Sequence, residues 1–401
     1  MEELFENWQG YKDVLLENLE GTKREVTAAG LEMTKKYLTE SATAGATAAG
    51  NIGDFRKIIM PLIRRTLPNQ IGPEIVGVQP MSGPVGLVYS LRFRYRNAAV
   101  TDGTRLDHSH DVADGDEMFS PYNLASQYSG VNTGEGAPTS TLEGVAGNKV
   151  DLQVLKQAVE AKTRKLSARW TLESMQDLTS QHGLDVESEL VGALSAEITA
   201  EIDQEIILDL ANLAGTAEAY DQNVVTGTPR YVGDVHAALG TVVAKVSTEI
   251  ARLTKRGGAT FMIVSSAVLA VLQSANRHAD FRGSFMSLDA GAMVSGAHAE
   301  NIQLVGIMNG GIKVYHDSYN IAGNNTIVLG YKGPNEIDSG YFYCPYIPLM
   351  ATQPVTDPNT FEPVIQLMTR YGKTQFTDSN TSLGNSANYY GKITVANLAW
   401  T

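Results

Sequence analysis

The sequence predicts an α+β protein, and three stretches carry that expectation. Apolar residues recur at every fourth position from Asp185 to Leu213, alternate with polar ones from Val85 to Asn97, and form short runs broken by Gly, Pro and Asn beyond Ile312. The first period is that of a helix, the second that of a half-buried strand, and the third that of a set of short strands. With 401 residues, 43% of them hydrophobic, the chain can bury a large core and divide into about two or three domains.

The helical stretch organises the rest. Val186, Leu190, Leu194, Ile198, Ile202, Ile206 and Leu210 form its stripe, with Val191, Ile207 and Leu213 filling in. A stride of four overshoots a 3.6-residue turn, so the stripe winds around a rod of roughly 40 Å and must meet different neighbours along its length. The same stretch carries Asp185, Glu187, Glu189, Glu197, Glu201, Asp203, Glu205 and Asp209 and neither Lys nor Arg. An anionic rod of this kind calls for cationic segments beside it.

Leu4, Phe5, Trp8, Tyr11, Leu15 and Leu19 share one helical face, and a second helix is expected from Thr22, with Glu25 completing a capping box. SATAGATAAG (41–50) is small and uncharged, which suits a joint. In NIGDFRKIIMPLIRR (51–65), Arg56, Lys57, Arg64 and Arg65 are interleaved with apolar residues, so this segment is expected to pack on an acidic neighbour, the rod being the obvious one. VGLVYSLRFRYRN (85–97) places Arg92, Arg94 and Arg96 on one face of a strand. From Asn97 to Val150 Gly, Asp, Ser and Thr dominate, and a stretch this long without helix or strand pattern is expected to be a functional excursion. AKTRKLSARWT (161–171) resumes extended, ESMQDLTSQ makes a short helix, and His182-Gly183 ends it. Further on, Asp234 can cap a helix ended by Gly257-Gly258, TFMIVS reads as a buried strand, and Ser265 or Ser266 can cap the next helix. The strands IKVYHD, TIVLGY, GYFYCPYIPLM, FEPVIQLMTRYG and KITVANL follow.

A net charge of -13 argues against a surface that grips nucleic acid. Cys344 is the single cysteine, which excludes an internal disulfide, and no basic, apolar leader opens the sequence, so folding in a reducing cytoplasm is expected. Gly257–Asn276 carries no charge until Lys and Arg on either side, but Ser, Gln and Asn dilute it and a membrane span is not expected. The nucleotide-binding, hydrolase, zinc and calcium motifs are missing. His108, His110 and Asp111 cluster in the glycine-rich excursion without a fourth partner and read as a solvated turn, while Asp185, Glu187 and Glu189 complement a helix dipole. No catalytic residue, metal site or cofactor is expected.

Four ordered blocks resemble one family: PNQIGPEIVGVQPMSGPVGLVYSLR (68–92), EAKTRKLSARWTLESMQDLTSQHGLDVESELVGALSAEITAEID (160–203), GYKGPNEIDSGYFYCPYIPL (330–349) and FEPVIQLMTRYG (361–372). They are similar to blocks of the major capsid protein of T4-like, contractile-tailed bacteriophages. The resemblance implies an HK97-like capsid fold. Residues 1–50 would be an N-terminal helical segment and arm, and 51–96 with 151–219 a peripheral domain built on the spine helix 185–213. Residues 97–150 would be an extended loop lying over a neighbouring subunit, with 160–172 as its return strand, and 220–401 mainly an axial domain. Tyr37-Leu38-Thr39-Glu40-Ser41 is similar to the family's hydrophobic-x-Glu maturation site, which would cut between Glu40 and Ser41.

The function so implied is self-assembly, not turnover: hexamers and pentamers closing an icosahedral or prolate head shell around double-stranded DNA, in the virion. Vertex, decoration, portal and scaffold proteins are the further partners implied, with packaged DNA near the shell without specific binding and no membrane contact. Arg56, Lys57, Arg64, Arg65, Arg92, Arg94 and Arg96 would contact acidic surfaces of their own or adjacent subunits. A same-fold vertex protein or bacterial nanocompartment shell is the nearest alternative, and an α/β enzyme with a lid at 97–150 the most distant one.

Overall fold

A computed structural model of the chain describes residues 8–16, 19, 21–43, 70–96, 118, 138–143, 149–183, 185–222, 232–278, 286–288, 302–308, 311–335, 338–352, 354–376 and 385–398. Helix α1 (Trp8–Leu15) precedes α2 (Gly21–Thr43), and a single helical turn at Gly72–Ile75 leads into β1 (Gly77–Val78) and β2 (Val85–Arg96). Then come β3 (Lys149–Glu160), β4 (Lys162–Arg169), α3 (Leu172–His182), the rod helix α4 (Val186–Leu213) and β5 (Thr216–Asp221). Next in order are α5 (Val232–Thr254), β6 (Phe261–Ser265), α6 (Ser266–His278), β7 (Met286–Leu288), β8 (Ile302–Met308), β9 (Ile312–Asp317) and β10 (Thr326–Gly330). Strands β11 (Tyr341–Ala351), β12 (Val355–Thr356), β13 (Pro363–Gln375) and β14 (Tyr390–Ala396) complete the α+β chain.

The chain divides into two compact units. The first comprises residues 1–86, 158–206 and 342–374. Its sheet runs β1-β11-β13-β12, with β4 also paired to β13. Val364 pairs with both Val355 of β12 and Arg169 of β4, so these two strands flank β13 on opposite sides. Strand β13 keeps strict period two, burying Pro363, Ile365, Leu367, Thr369 and Tyr371, and the Thr369 hydroxyl donates to the Ile347 carbonyl at 3.2 Å. Edge strand β4 exposes Lys162, Lys165 and Arg169, charges that discourage further strand pairing.

The second unit comprises residues 87–157, 207–341 and 375–401. A seven-stranded mixed sheet, β5-β14-β10-β6-β9-β8-β7, forms its centre. Helices α5 and α6 supply Leu239, Val243, Val246, Ile250, Val268, Val271 and Leu272, all fully buried. The sheet's own Phe261, Met262, Val264, Val314, Ile327, Val328, Leu329 and Ile393 are equally enclosed. Gly330 is required by packing: a Cβ there would stand 2.2 Å from a ring carbon of Phe261.

Several expectations are met and some are corrected. The rod spans the residues its period predicts, and α3 ends at Gly183 with φ 64°, a left-handed stop that glycine adopts without strain. The segment expected to resume extended at 161–171 does so as β4, which pairs with β13, while β3, at Lys149–Glu160, pairs with β2 in a separate sheet. Strand β3 alternates Val150, Leu152 and Val154 with Asp151 and Gln153, a short period-two run that the sequence reading did not take up. Asp234 is not a cap, since α5 already begins at Val232. Nor does a serine side chain cap α6: the Ser266 N–H donates to Asn320 Oδ1 at 3.0 Å, and Ser265 Oγ donates to the Asn324 carbonyl at 2.5 Å. Among the described residues no helix is long and apolar enough to cross a membrane, and no group of His, Cys, Asp and Glu could hold a metal. His108, His110 and Asp111 lie outside them.

Candidate assembly surfaces

Strands β2 and β3 form a two-stranded sheet of their own. Alternate residues of β2, Val85, Leu87, Tyr89 and Phe93, are 61, 42, 52 and 49% exposed, and alternate residues of β3, Val150, Leu152 and Val154, are 40, 58 and 57% exposed. Val88 and Tyr95 are the buried exceptions on β2. Seven large apolar side chains on one ribbon far exceed what scattered surface exposure accounts for, and such a patch marks a surface that meets another macromolecule. Arg96 is exposed on this ribbon and pairs with Asp151 at 3.0 Å; Arg94 is half-buried; Arg92 lies on β2.

The rod is fixed within the first unit by charge. Arg164 of β4 donates through Nη1 to Glu201, through Nη2 to Glu205 Oε2 at 2.5 Å, and through Nε to the Tyr371 hydroxyl at 2.5 Å. Tyr371 in turn donates to Glu205, and Lys373 Nζ lies 2.6 Å from Glu205 Oε1. Burial pushes the Glu205 carboxyl up, but the hydrogen bonds from Lys373, Tyr371 and Arg164 outweigh it and hold the group at about 2. Burial, together with the neighbouring Glu205, raises the Tyr371 phenol well above its ordinary value, so it stays a donor. The net result is one cation network gripping two successive turns of an anionic helix.

The remaining rod acids divide by role. Asp185 accepts the Glu187 N–H at 3.2 Å through Oδ1, capping the rod, and burial with the Asp185 charge raises the Glu187 carboxyl. Glu189 and Glu197 are exposed. Asp203 is buried and accepts the Ile71 N–H at 3.2 Å. In the second unit Asp209 accepts the Tyr341 hydroxyl at 2.7 Å. Glu40 and Ser41 lie in the last helical turns of α2, and Arg56, Lys57, Arg64 and Arg65 fall outside the described residues.

Arg164 and Lys373 are the cations that pair with Glu201 and Glu205 of the rod, and the sequence reading did not single them out. A signal existed. In β4, Arg164 shares its parity with the half-buried Leu166 and Ala168, opposite the exposed Thr163, Lys165, Ser167 and Arg169. An arginine in the inward register of a strand needs an acidic partner.

These surfaces define a building unit: a rod locked into its own domain by ions, and a ribbon that carries exposed apolar side chains. Residues 52–395 match the family of the major capsid protein Gp23, and the chain belongs to that family. The major capsid protein of Enterobacteria phage T4 is 29% identical over 418 residues, covering 84% of this chain and 78% of its own length. That of Vibrio phage KVP40 is also 29% identical, over 435 residues, covering 87% of this chain and 82% of its own length. A solved chain from the capsid of Myoviridae phage XM1 aligns over 80% of this chain and 89% of its own at 10% identity and TM-score 0.45. The protein is a phage major capsid protein, a structural component that forms the shell of the virion.

Proposed function

We propose that copies of this chain associate as hexamers and pentamers and close an icosahedral or prolate shell around double-stranded DNA. The observation that carries the reading is the apolar ribbon β2–β3, which flanks residues 97–150 and fits a surface that meets a neighbouring copy. Covering each half-exposed side chain would contribute about 1 kcal/mol, and a contact repeated around a closed lattice becomes cooperative. The net charge of -13 keeps the inner wall from adhering to packaged DNA. Work is done by association, and no step requires turnover.

In this reading residues 51–96 and 151–219, joined by 342–374, take the peripheral role, residues 97–150 the extended-loop role, and the rest of 220–401 the axial role. Arg92, Arg94 and Arg96, with Arg56, Lys57, Arg64 and Arg65, serve as cationic contacts within and between copies. Vertex, decoration, portal and scaffold proteins complete the head, and cleavage between Glu40 and Ser41 separates the N-terminal helices during maturation.

The test is electron microscopy of the purified chain beside the double variant Leu152→Asp/Val154→Asp, with N-terminal sequencing of assembled particles. Closed shells from the unaltered chain and none from a folded double variant support the reading. Shells from both would remove the ribbon from it. An intact Met1 in DNA-filled heads would remove the cleavage.

A further inference from the structure

Of the acids on α4, Asp203 is the one turned inward, with 3% of its surface exposed. Its carboxylate accepts one backbone N–H, that of Ile71, immediately before the helical turn Gly72–Ile75. A buried carboxylate so thinly answered needs a cation close by. Lys23 of α2 is the cation whose charge acts on it, and Lys23 Nζ also lies 2.5 Å from Glu74 Oε1 in that same turn. The groups facing Asp203 are thus Lys23 from α2, the Ile71 amide from the turn and Tyr343 from β11, with Glu74 reached through Lys23.

Along α2, Lys23 heads the stripe that contains the buried Val26, Thr27 and Leu31. The Thr27 hydroxyl donates to the Lys23 carbonyl at 2.7 Å. One lysine therefore reaches the turn from the same face that seats Val26, Thr27 and Leu31.

We propose that α2 is a releasable strap over the Ile71–Ile75 turn and the rod, and that Lys23 is its latch, answering Asp203 and Glu74 together. Removing the lysine takes the ion-pair partner from Glu74 and the nearby positive charge from the buried Asp203. Readmitting water is the relief, and it requires lifting the helix, because Val26, Thr27 and Leu31 lie on the same face. Release is therefore a single event over the length of α2. Its dependence on pH has a definite sign. Burial holds the Asp203 carboxyl well above its ordinary value, opposed by the Ile71 amide and Lys23. A neutral carboxyl tolerates the seat without Lys23, so the loss grows as pH rises through the Asp203 titration. The strap rests on no cleavage step, and proteolysis downstream of it would be a separate matter.

The test is hydrogen exchange on the full chain before assembly, comparing Lys23→Met, Lys23→Arg, Asp203→Asn and the double variant Lys23→Met/Asp203→Asn. Lys23→Met is expected to lower protection across residues 26–35 about tenfold or more at the alkaline end of a pH series and less at its acid end, with β6, β9 and β10 unchanged. Lys23→Arg should retain protection, and the double variant should recover most of it. Should Lys23→Met unfold the whole chain, recovery of the fold in the double variant supports the latch, and failure to recover overturns it. Unchanged protection in Lys23→Met, or an equal loss with Asn at 203, also overturns it.

Discussion

The seven-stranded sheet and the β2–β3 ribbon use the same apolar vocabulary to opposite ends. In the sheet, Met262, Val264, Val314, Ile327, Val328, Leu329 and Ile393 are wholly buried beneath and beside α5 and α6. On the ribbon, Leu152 and Val154 stay more than half exposed. Burial in the first case stabilises the chain itself, because the unfolded chain would expose those groups. In the second case folding gains little from them, and the gain is left for whatever covers the ribbon. The two regions should therefore fail differently when substituted.

The largest effect on folding belongs to the sheet. Leu329→Ala, at the centre of β10, should lower stability by about 2–5 kcal/mol, read as a fall in the urea midpoint, with assembly lost only as folding is lost. Leu152→Asp/Val154→Asp should leave the midpoint of the isolated chain within about 0.5 kcal/mol while abolishing particles. Equal destabilisation by both would erase the contrast between the regions.

Next in size is the cation network on the rod. Arg164→Met leaves Glu201 and Glu205 without their shared donor and should cost about 2 kcal/mol. The dependence on pH sharpens this. Glu205 is lowered in the folded protein from 4.5 to about 2, so its contribution is fully present above 4.5 and is lost as pH falls from there through about 2. In Arg164→Met the acid-induced loss should start from a lower plateau and be shallower across that window. Urea midpoints at a series of pH values decide it, and an unchanged slope would take Arg164 out of the linkage.

What could be read from the sequence follows which side of each element faces a core. The rod was legible because Val191, Ile198, Ile202, Ile206 and Leu210 are buried and recur with helical spacing. Strand β13 was legible because its buried set alternates from Pro363 to Tyr371. Strand β3 alternates as well, in Val150, Leu152 and Val154, but these side chains stay exposed while Val159 is buried, so alternation did not tell which face meets a core. Asp203 is the harder case: it was one acid among many, although it falls between Thr199 and Ile207, both buried, at fourfold spacing. Position on the winding stripe, rather than residue type, separated it from Glu201, which is exposed. The pairing of Arg164 with Glu201 and Glu205 required the register of β4 on β13, which places Arg164 opposite Thr369 and which no local pattern specifies.

The smallest expected effect tests the ribbon's charge rather than its apolar face. Arg96 and Asp151 pair at 3.0 Å with side chains 65 and 58% exposed, so solvent screens the pair and Arg96→Ala should change unfolding by about 0.5 kcal/mol or less. If the arginine also meets an acidic patch on a neighbouring copy, the substitution should slow particle formation at low salt and lose that effect near 0.5 M salt, where the screening length falls to about 4 Å. Light scattering against time at both salt concentrations reads this directly. A salt-independent defect would place the role of Arg96 in the shape of the ribbon instead of its charge.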